Sequence, residues 1–301
     1  MVAEAAAINR VSRRNTAAAC LRDYASLCKP RILGLLAVVT VVTAVVSSGP
    51  AVPWGQVWLA ALAGVLASAS ASILNNVLDR DIDIIMARTR HRPLARGDIQ
   101  VRHALALAAG LLLLAAAVSF LVSYLVAVFV VGGALVYAVV YTYWLKRRTA
   151  LNIVIGGAAG SCAVMVGWAA AGGGLTPAAV IIALLLFFWT PAHFWSFALV
   201  HSEDYRRAAV PMLPGVADQR VTVQMILLHT ALMLASSLAL YFYSDLGLIY
   251  LAGALLLGGW LAARNLPLWR GYRVRTAWAS YKFSGIYLLG LFLSMFFDVI
   301  I

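Results

Sequence analysis

The chain has 301 residues, 63% of them hydrophobic and only 11% charged, with a formal net charge of +12. Runs of about twenty apolar residues recur from end to end, which excludes an ordinary water-soluble domain and marks membrane-spanning helices. Nucleic acid does not explain the positive charge. All twenty-three Lys and Arg fall in the five stretches 1–31, 76–103, 145–150, 201–222 and 264–282, the one-sided placement that anionic lipid and the positive-inside rule produce.

Residues 1–31 carry Arg10, Arg13, Arg14 and Arg22 with no apolar run before residue 32, so they read as a cytoplasmic N-terminal segment and not as a signal peptide. Residues 32–301 read as one membrane domain, because no linker-like or low-complexity stretch divides them. Hydropathy places spans at 32–49, 57–75, 104–122, 124–144, 151–171, 177–200, 223–243, 246–266 and 280–300. The expected fold class is therefore all-α: a polytopic bundle of nine transmembrane helices whose active site is capped on the cytoplasmic side. Nine crossings that start inside leave the C-terminus outside. Cys20, Cys28 and Cys162 have no C-x-x-C spacing and support neither a disulfide framework nor a cysteine metal site.

The second span runs into the stretch from Asn75 to Asp98, which holds four of the eleven acidic and five of the twenty-three basic residues. On a helix, Asn75, Asp79 and Asp83 stand at i, i+4 and i+8 and share one face, drifting by about 40° per step, while Asp81 falls near the opposite face. Three oxygen-bearing side chains on one face suit Mg²⁺, which takes hard oxygen ligands and usually leaves positions for water and substrate phosphate. Arg88, Arg90, Arg92 and Arg96 follow, and guanidinium forks match phosphate oxygens. The plainer alternative is a network of surface salt bridges within the loop, each worth little.

The remaining inner connections carry weaker signals. Y-T-Y-W-L-K-R-R at Tyr141 to Arg148 reads as an interfacial aromatic belt with basic anchors. Gly156, Gly157, Gly160 and Gly167 in the fifth span permit close helix packing, or room beside a bulky ligand. His193 lies inside the sixth span, where ionisable residues are costly and often functional, and Pro191 is expected to disturb the helix just ahead of it. The next loop, H-S-E-D-Y-R-R from His201 to Arg207, repeats acids followed by arginines and invites a second-metal reading for Glu203 and Asp204.

Taken together, these blocks resemble a known family. N-x-x-x-D-x-x-x-D at Asn75, Asp79 and Asp83 is similar to the first signature of the UbiA superfamily of intramembrane prenyltransferases. D-R-D-I-D with M-A-R-T-R-H-R-P-L, then W-L-K-R-R-T-A-L-N-I-V-I-G-G-A-A-G, T-P-A-H-F-W and E-D-Y-R-R-A-A-V-P-M-L-P, resemble in order the haem-farnesylating (haem O synthase) branch of that superfamily. The resemblance implies Mg²⁺-assisted ionisation of farnesyl diphosphate and attachment of its allylic carbon to a vinyl group of haem b, giving haem O. It implies that Asn75, Asp79 and Asp83 hold Mg²⁺ with Glu203 and Asp204 as further metal-side residues, and that Arg88, Arg92, Lys146 and Arg147 face the diphosphate. His193, Trp195 and Asn152 would then stand on the haem side. The implied setting is the plasma (inner) membrane of a prokaryote, among membrane lipid, with haem A synthase as a partner.

The chain departs from the family pattern at Ser202, where a lysine precedes the acidic pair, and at Ala163 and Val164, where two prolines follow the glycine run. A second D-x-x-x-D signature is not spelled out. Two other readings compete: a UbiA-type enzyme that prenylates an aromatic or quinone-precursor acceptor, which would lack the T-P-A-H-F-W and A-A-V-P-M-L-P blocks, and a transporter, whose acids would lie mid-membrane at broken helices.

Overall fold

The computed structural model describes residues 17–301, so the first sixteen residues of the expected N-terminal segment lie outside the described part. Its elements are α1 (Ala17–Leu27), α2 (Pro30–Ser48), α3 (Trp54–Leu78), α4 (Arg80–Ile85), α5 (Pro93–Arg96), α6 (Val101–Val122), α7 (Tyr124–Leu145), α8 (Asn152–Ala170), α9 (Pro177–Val200), α10 (Ser202–Arg207), α11 (Leu213–Val216), α12 (Gln219–Tyr243), α13 (Leu248–Arg270) and α14 (Val274–Ile300), with no strand among the described residues. Nine of these, α2, α3, α6 to α9 and α12 to α14, are long and apolar enough to cross a membrane. Each overlaps one span expected from hydropathy. Several extend further, as α3 and α14 do, because a helix keeps its backbone hydrogen bonds into the polar interface after the apolar run has ended.

Local chemistry fixes the turns. Ser123 Oγ accepts from Val126 N at 3.2 Å and caps α7 one residue after α6 has ended, so the two must run antiparallel. Thr176 Oγ1 accepts from Ala179 N at 3.3 Å, with Pro177 in the first turn of α9, where its missing N–H costs nothing. The helix α9 continues through Pro191 to Val200, so the disturbance expected there does not end the helix.

One departure from regular helix bears on the site. The last ten residues of α7, Val136–Leu145, form a π-helix, in which bonds run from i+5 to i, as from Lys146 N to Tyr141 O at 2.8 Å. Hydropathy predicts an ordinary helix here. Wide turns of this kind are rare and recur at functional sites.

Packing follows residue size. Ala60, Ala63, Ala67 and Ala71 of α3 cluster with Ala115 of α6 and Val130 of α7, small side chains that let backbones approach closely. The other half holds the bulk, including Ile182, Met233, Tyr250, Tyr287 and Phe292. Leu113, Leu121 and Phe242 are 72%, 76% and 77% exposed, as lipid-facing side chains are. Among the described residues, the helices α2, α3, α7, α8, α9 and α14 line a partly open cavity of about 540 Å³, while α6, α12 and α13 contribute nothing to its wall.

Candidate active site

One end of that cavity is charged. Asn75, Asp79, Asp83, Arg88, Arg92 and Lys146 all line it, as does His193 further along. The acid row survives a break in the helix: α3 ends at Leu78, α4 starts at Arg80, and Asp79 takes φ −91° and ψ 1° between them. The i to i+4 bonds nonetheless continue, from Asp79 N to Asn75 O at 2.9 Å and from Asp83 N to Asp79 O at 2.8 Å. The three side chains therefore stay on one face, and all are buried, at 4%, 1% and 3% exposure. Asp81 points away, 65% exposed, and pairs with Arg147 at 2.6 Å. That hydrogen bond holds the Asp81 carboxyl below its ordinary value.

Each member of the row carries a cation. Lys29 Nζ donates to Asn75 Oδ1 at 2.7 Å, Lys146 Nζ donates to Asp79 Oδ2 in a buried ion pair, and Arg92 Nη1 donates to Asp83 Oδ2 at 2.7 Å. Asn75 Nδ2 in turn donates to Asp79 Oδ2 at 2.7 Å and to Thr142 Oγ1 at 3.2 Å. Among the described residues, five basic side chains (Lys29, Arg31, Arg88, Arg92, Lys146) and two acidic ones line the cavity, an imbalance that suits a polyanion. Two buried atoms at this end have no hydrogen-bond partner: Asp79 Oδ1, an acceptor, and Arg88 Nε, a donor. An acceptor waiting for a cation and a donor waiting for an anion, lining the same cavity, make a set that a hard metal ion with a phosphate would complete. Asp79 and Asp83 supply only two carboxylates, and no group of three or more His, Cys, Asp and Glu is gathered among the described residues; Asn75 adds the third oxygen.

The stretch from Asp79 to Asp98 folds as α4, a turn and α5, and its residues Asp83, Met86, Arg88 and Arg92 border the charged end. The second inner loop braces this stretch: Asp204 accepts from Ala87 N and Arg88 N, both at 3.3 Å. Glu203 does not join the site. It is half exposed and pairs with Arg206 and Arg207 of its own helix.

Three more expected residues lie off the cavity. Arg147 is engaged with Asp81 and with Leu78 O. Asn152 is fully buried but gives its amide to Thr149 O at 2.6 Å, a turn-closing bond. Trp195 is 2% exposed and meets His229 edge-on at a ring distance of 5.1 Å. Two positions after His193, about 200° around the helix, it faces the opposite side.

His193 itself is well placed. Its ring stacks on Trp189 at 4.3 Å and leans on Tyr281 at 4.5 Å, and its Nδ1 lies 2.7 Å from Ser284 Oγ. Ser284 Oγ also lies 2.8 Å from Tyr281 O; in the tautomer that carries its proton on Nδ1, the imidazole donates to Oγ and Nε2 keeps its lone pair.

Sequence reasoning missed several wall residues. Lys29 is the chief one, since it reads as one more basic anchor before an apolar run. It sits at a left-handed φ of 56°, and burial, followed by the charge of Arg92, pushes its ammonium down to about 8. Tyr137, which accepts from Lys29 Nζ at 3.2 Å, and Tyr141 come from the π-helix, and Tyr205 from the second loop. Gly156 is required by Tyr141: a Cβ there would lie 2.7 Å from its ring.

Residues 35–295 match the UbiA prenyltransferase family. The chain is 42% identical to a protoheme IX farnesyltransferase of Symbiobacterium thermophilum over 93% of its own length and 94% of the relative's. It is 42% identical to that of Alkalilimnicola ehrlichii over 92% of both. Against a protein of the same name in Roseiflexus castenholzii, also 42% identical over 92% of this chain, it spans about half, 52%, of the relative. Among solved structures, a digeranylgeranylglyceryl phosphate synthase superposes with a TM-score of 0.78 at 19% identity, covering 93% of this chain and 98% of that one. A UbiA homologue from Archaeoglobus fulgidus bound to GPP and Mg²⁺ gives 0.68 at 15% identity, covering 91% and 99%, and at these identities both likenesses speak for the fold alone. With its cavity, its acid row and its matched span, the chain belongs to the UbiA prenyltransferase family and, within it, to the group of the protoheme IX farnesyltransferases.

Proposed function

We propose that this protein transfers the farnesyl group of farnesyl diphosphate to a vinyl group of haem b, giving haem O. The observation that carries the reading is the pair of buried, unpartnered atoms Asp79 Oδ1 and Arg88 Nε at one end of an apolar cavity; the names and near-full-length identity of the relatives support the choice of substrates.

Asn75, Asp79 and Asp83 would hold Mg²⁺. When bound there, it neutralises the charge that develops on the departing diphosphate. Arg88, Arg92, Lys146 and Lys29 orient the diphosphate, and the small-residue wall of Ala67, Ala71, Gly133, Gly160 and Ala163 leaves room for the isoprenoid tail. The allylic C–O bond breaks, the vinyl carbon of haem bonds to C1 of farnesyl, and water adds at the neighbouring carbon with loss of a proton. The stretch from Asp79 to Asp98, braced by Asp204, shields that carbocation from bulk water. His193, in the tautomer that leaves Nε2 unprotonated and beside flat Trp189 and Tyr281, contacts the haem, as an iron ligand or at the macrocycle edge.

In this reading the Lys/Arg-rich ends face the cytoplasm of a prokaryotic plasma membrane with the C-terminus outside, and the product passes to a haem-oxidising partner such as haem A synthase. The test is mass spectrometry of haems from cells that lack this activity and express the chain. Haem O is expected, its formation lost with Asp83→Asn and kept with Asp81→Asn. Unmodified haem b alone, or equal loss with both variants, would overturn the assignment.

A further inference from the structure

Every oxygen-bearing side chain of the row is bonded to a cation, and the three cations come from three different places in the fold. Lys29 precedes α2 and reaches Asn75 across 46 residues of sequence; Lys146 ends the π-helical turn and pairs with Asp79; Arg92 lies between α4 and α5 and pairs with Asp83 at 2.7 Å. Asn75 is the telling member. Its Nδ2 is committed to Asp79 and Thr142, so Oδ1 is the one atom it can offer a metal, and Lys29 Nζ holds it. The row is thus built to receive positive charge and already has it.

A divalent cation approaching this face meets ammonium and guanidinium groups at contact distance, and like charges in a buried site repel strongly. Those groups leave only if another anion takes them. The same cavity supplies the place, because all three line it beside Arg88, whose Nε is unpartnered, and the long stems of Lys and Arg let each head move without a backbone change.

We infer that Lys29, Lys146 and Arg92 are exchangeable counter-ions: a diphosphate draws them off the row and opens it to the metal, so that neither ligand binds well without the other. Lys29 is then a diphosphate-binding residue stored on Asn75. This rests on the metal and diphosphate reading given above, and it adds reciprocity, since a coupling between two ligands must act equally on both.

The experiment uses the purified full-length protein in detergent micelles or nanodiscs, with protein-bound Mn²⁺ counted by electron paramagnetic resonance against added inorganic pyrophosphate. Mn²⁺ alone is expected to bind weakly, and pyrophosphate to raise its affinity on the order of 10- to 100-fold. The variant Lys29→Met is expected to bind Mn²⁺ alone more tightly than the native protein while gaining less from pyrophosphate, a pair of opposite shifts that general damage does not produce. Mn²⁺ binding that is equally tight with and without pyrophosphate overturns the exchange and leaves the metal site standing. Mn²⁺ that binds in neither condition removes the metal reading itself, and the exchange with it. The comparison on the native protein decides the matter even if Lys29→Met does not fold.

Discussion

Replacing Lys146 with methionine isolates the buried pair at the centre of the site. In the native protein the Lys146 side chain is 11% exposed and that of Asp79 1%, so the variant leaves a carboxylate in the interior with Asn75 Nδ2 as its remaining donor. Breaking a buried pair from one side costs about 3–5 kcal/mol, and the surplus of cations in the cavity places the expected loss at the lower end, about 3 kcal/mol. On the scale of globular proteins that lowers the unfolding midpoint by on the order of 10 °C. Asp79→Asn alone should cost a similar amount by stranding the ammonium. The double variant Asp79→Asn with Lys146→Met removes both charges, and its midpoint should return to within a few degrees of native, because desolvation offsets most of what a buried pair gains. Thermal unfolding by circular dichroism in one detergent, on all four proteins, measures this cycle. Additive losses in the double variant, or no loss in Lys146→Met, would show that the pair is not buried and coupled as described.

Two other variants probe the walls. Gly156→Ala places a methyl against the Tyr141 ring, whose nearest atom would be 2.7 Å away; overpacking of this kind costs about 1–3 kcal/mol, and transferase activity should fall with stability, whereas Gly110→Ala in α6, off the cavity and with open space at its Cβ, should change neither. His193→Ala should weaken haem b binding or shift its absorption bands while leaving pyrophosphate affinity unchanged; native haem affinity and spectrum in that variant would reduce His193 to a packing residue held by Trp189 and Ser284.

The sequence reads most clearly where one physical term dominates. The nine apolar runs become the nine long helices of the described residues because lipid leaves the backbone no other way to satisfy its hydrogen bonds. The row of Asn75, Asp79 and Asp83 is legible because four-residue spacing survives even the break at Asp79, and the outward Asp81 follows from the same geometry. Contacts between distant segments are not legible in this way. Lys29 looks like a basic anchor until the fold carries it to Asn75, and V-Y-A-V-V-Y-T-Y-W-L carries no mark of a π-helix, although that helix brings Tyr137 and Tyr141 into the wall. Trp195 and Asn152 show the converse error, in which nearness to a motif stood in for direction. Trp195 shares T-P-A-H-F-W with His193 yet turns to His229, and Asn152 closes a turn beside Lys146. The paired acids of the second loop divide: Asp204 braces the stretch after Asp83 and Glu203 faces solvent.

The most direct measurement is a reaction of the purified protein with farnesyl diphosphate, haem b and Mg²⁺ in water enriched in oxygen-18, with the extracted porphyrins analysed by mass spectrometry. Haem O synthesis by this protein predicts a haem heavier by one farnesyl group and one hydroxyl group, carrying a single oxygen-18, formed only when the metal is present and absent with Asp79→Asn. Haem b recovered unchanged, while an aromatic acceptor supplied in its place is prenylated, would contradict it.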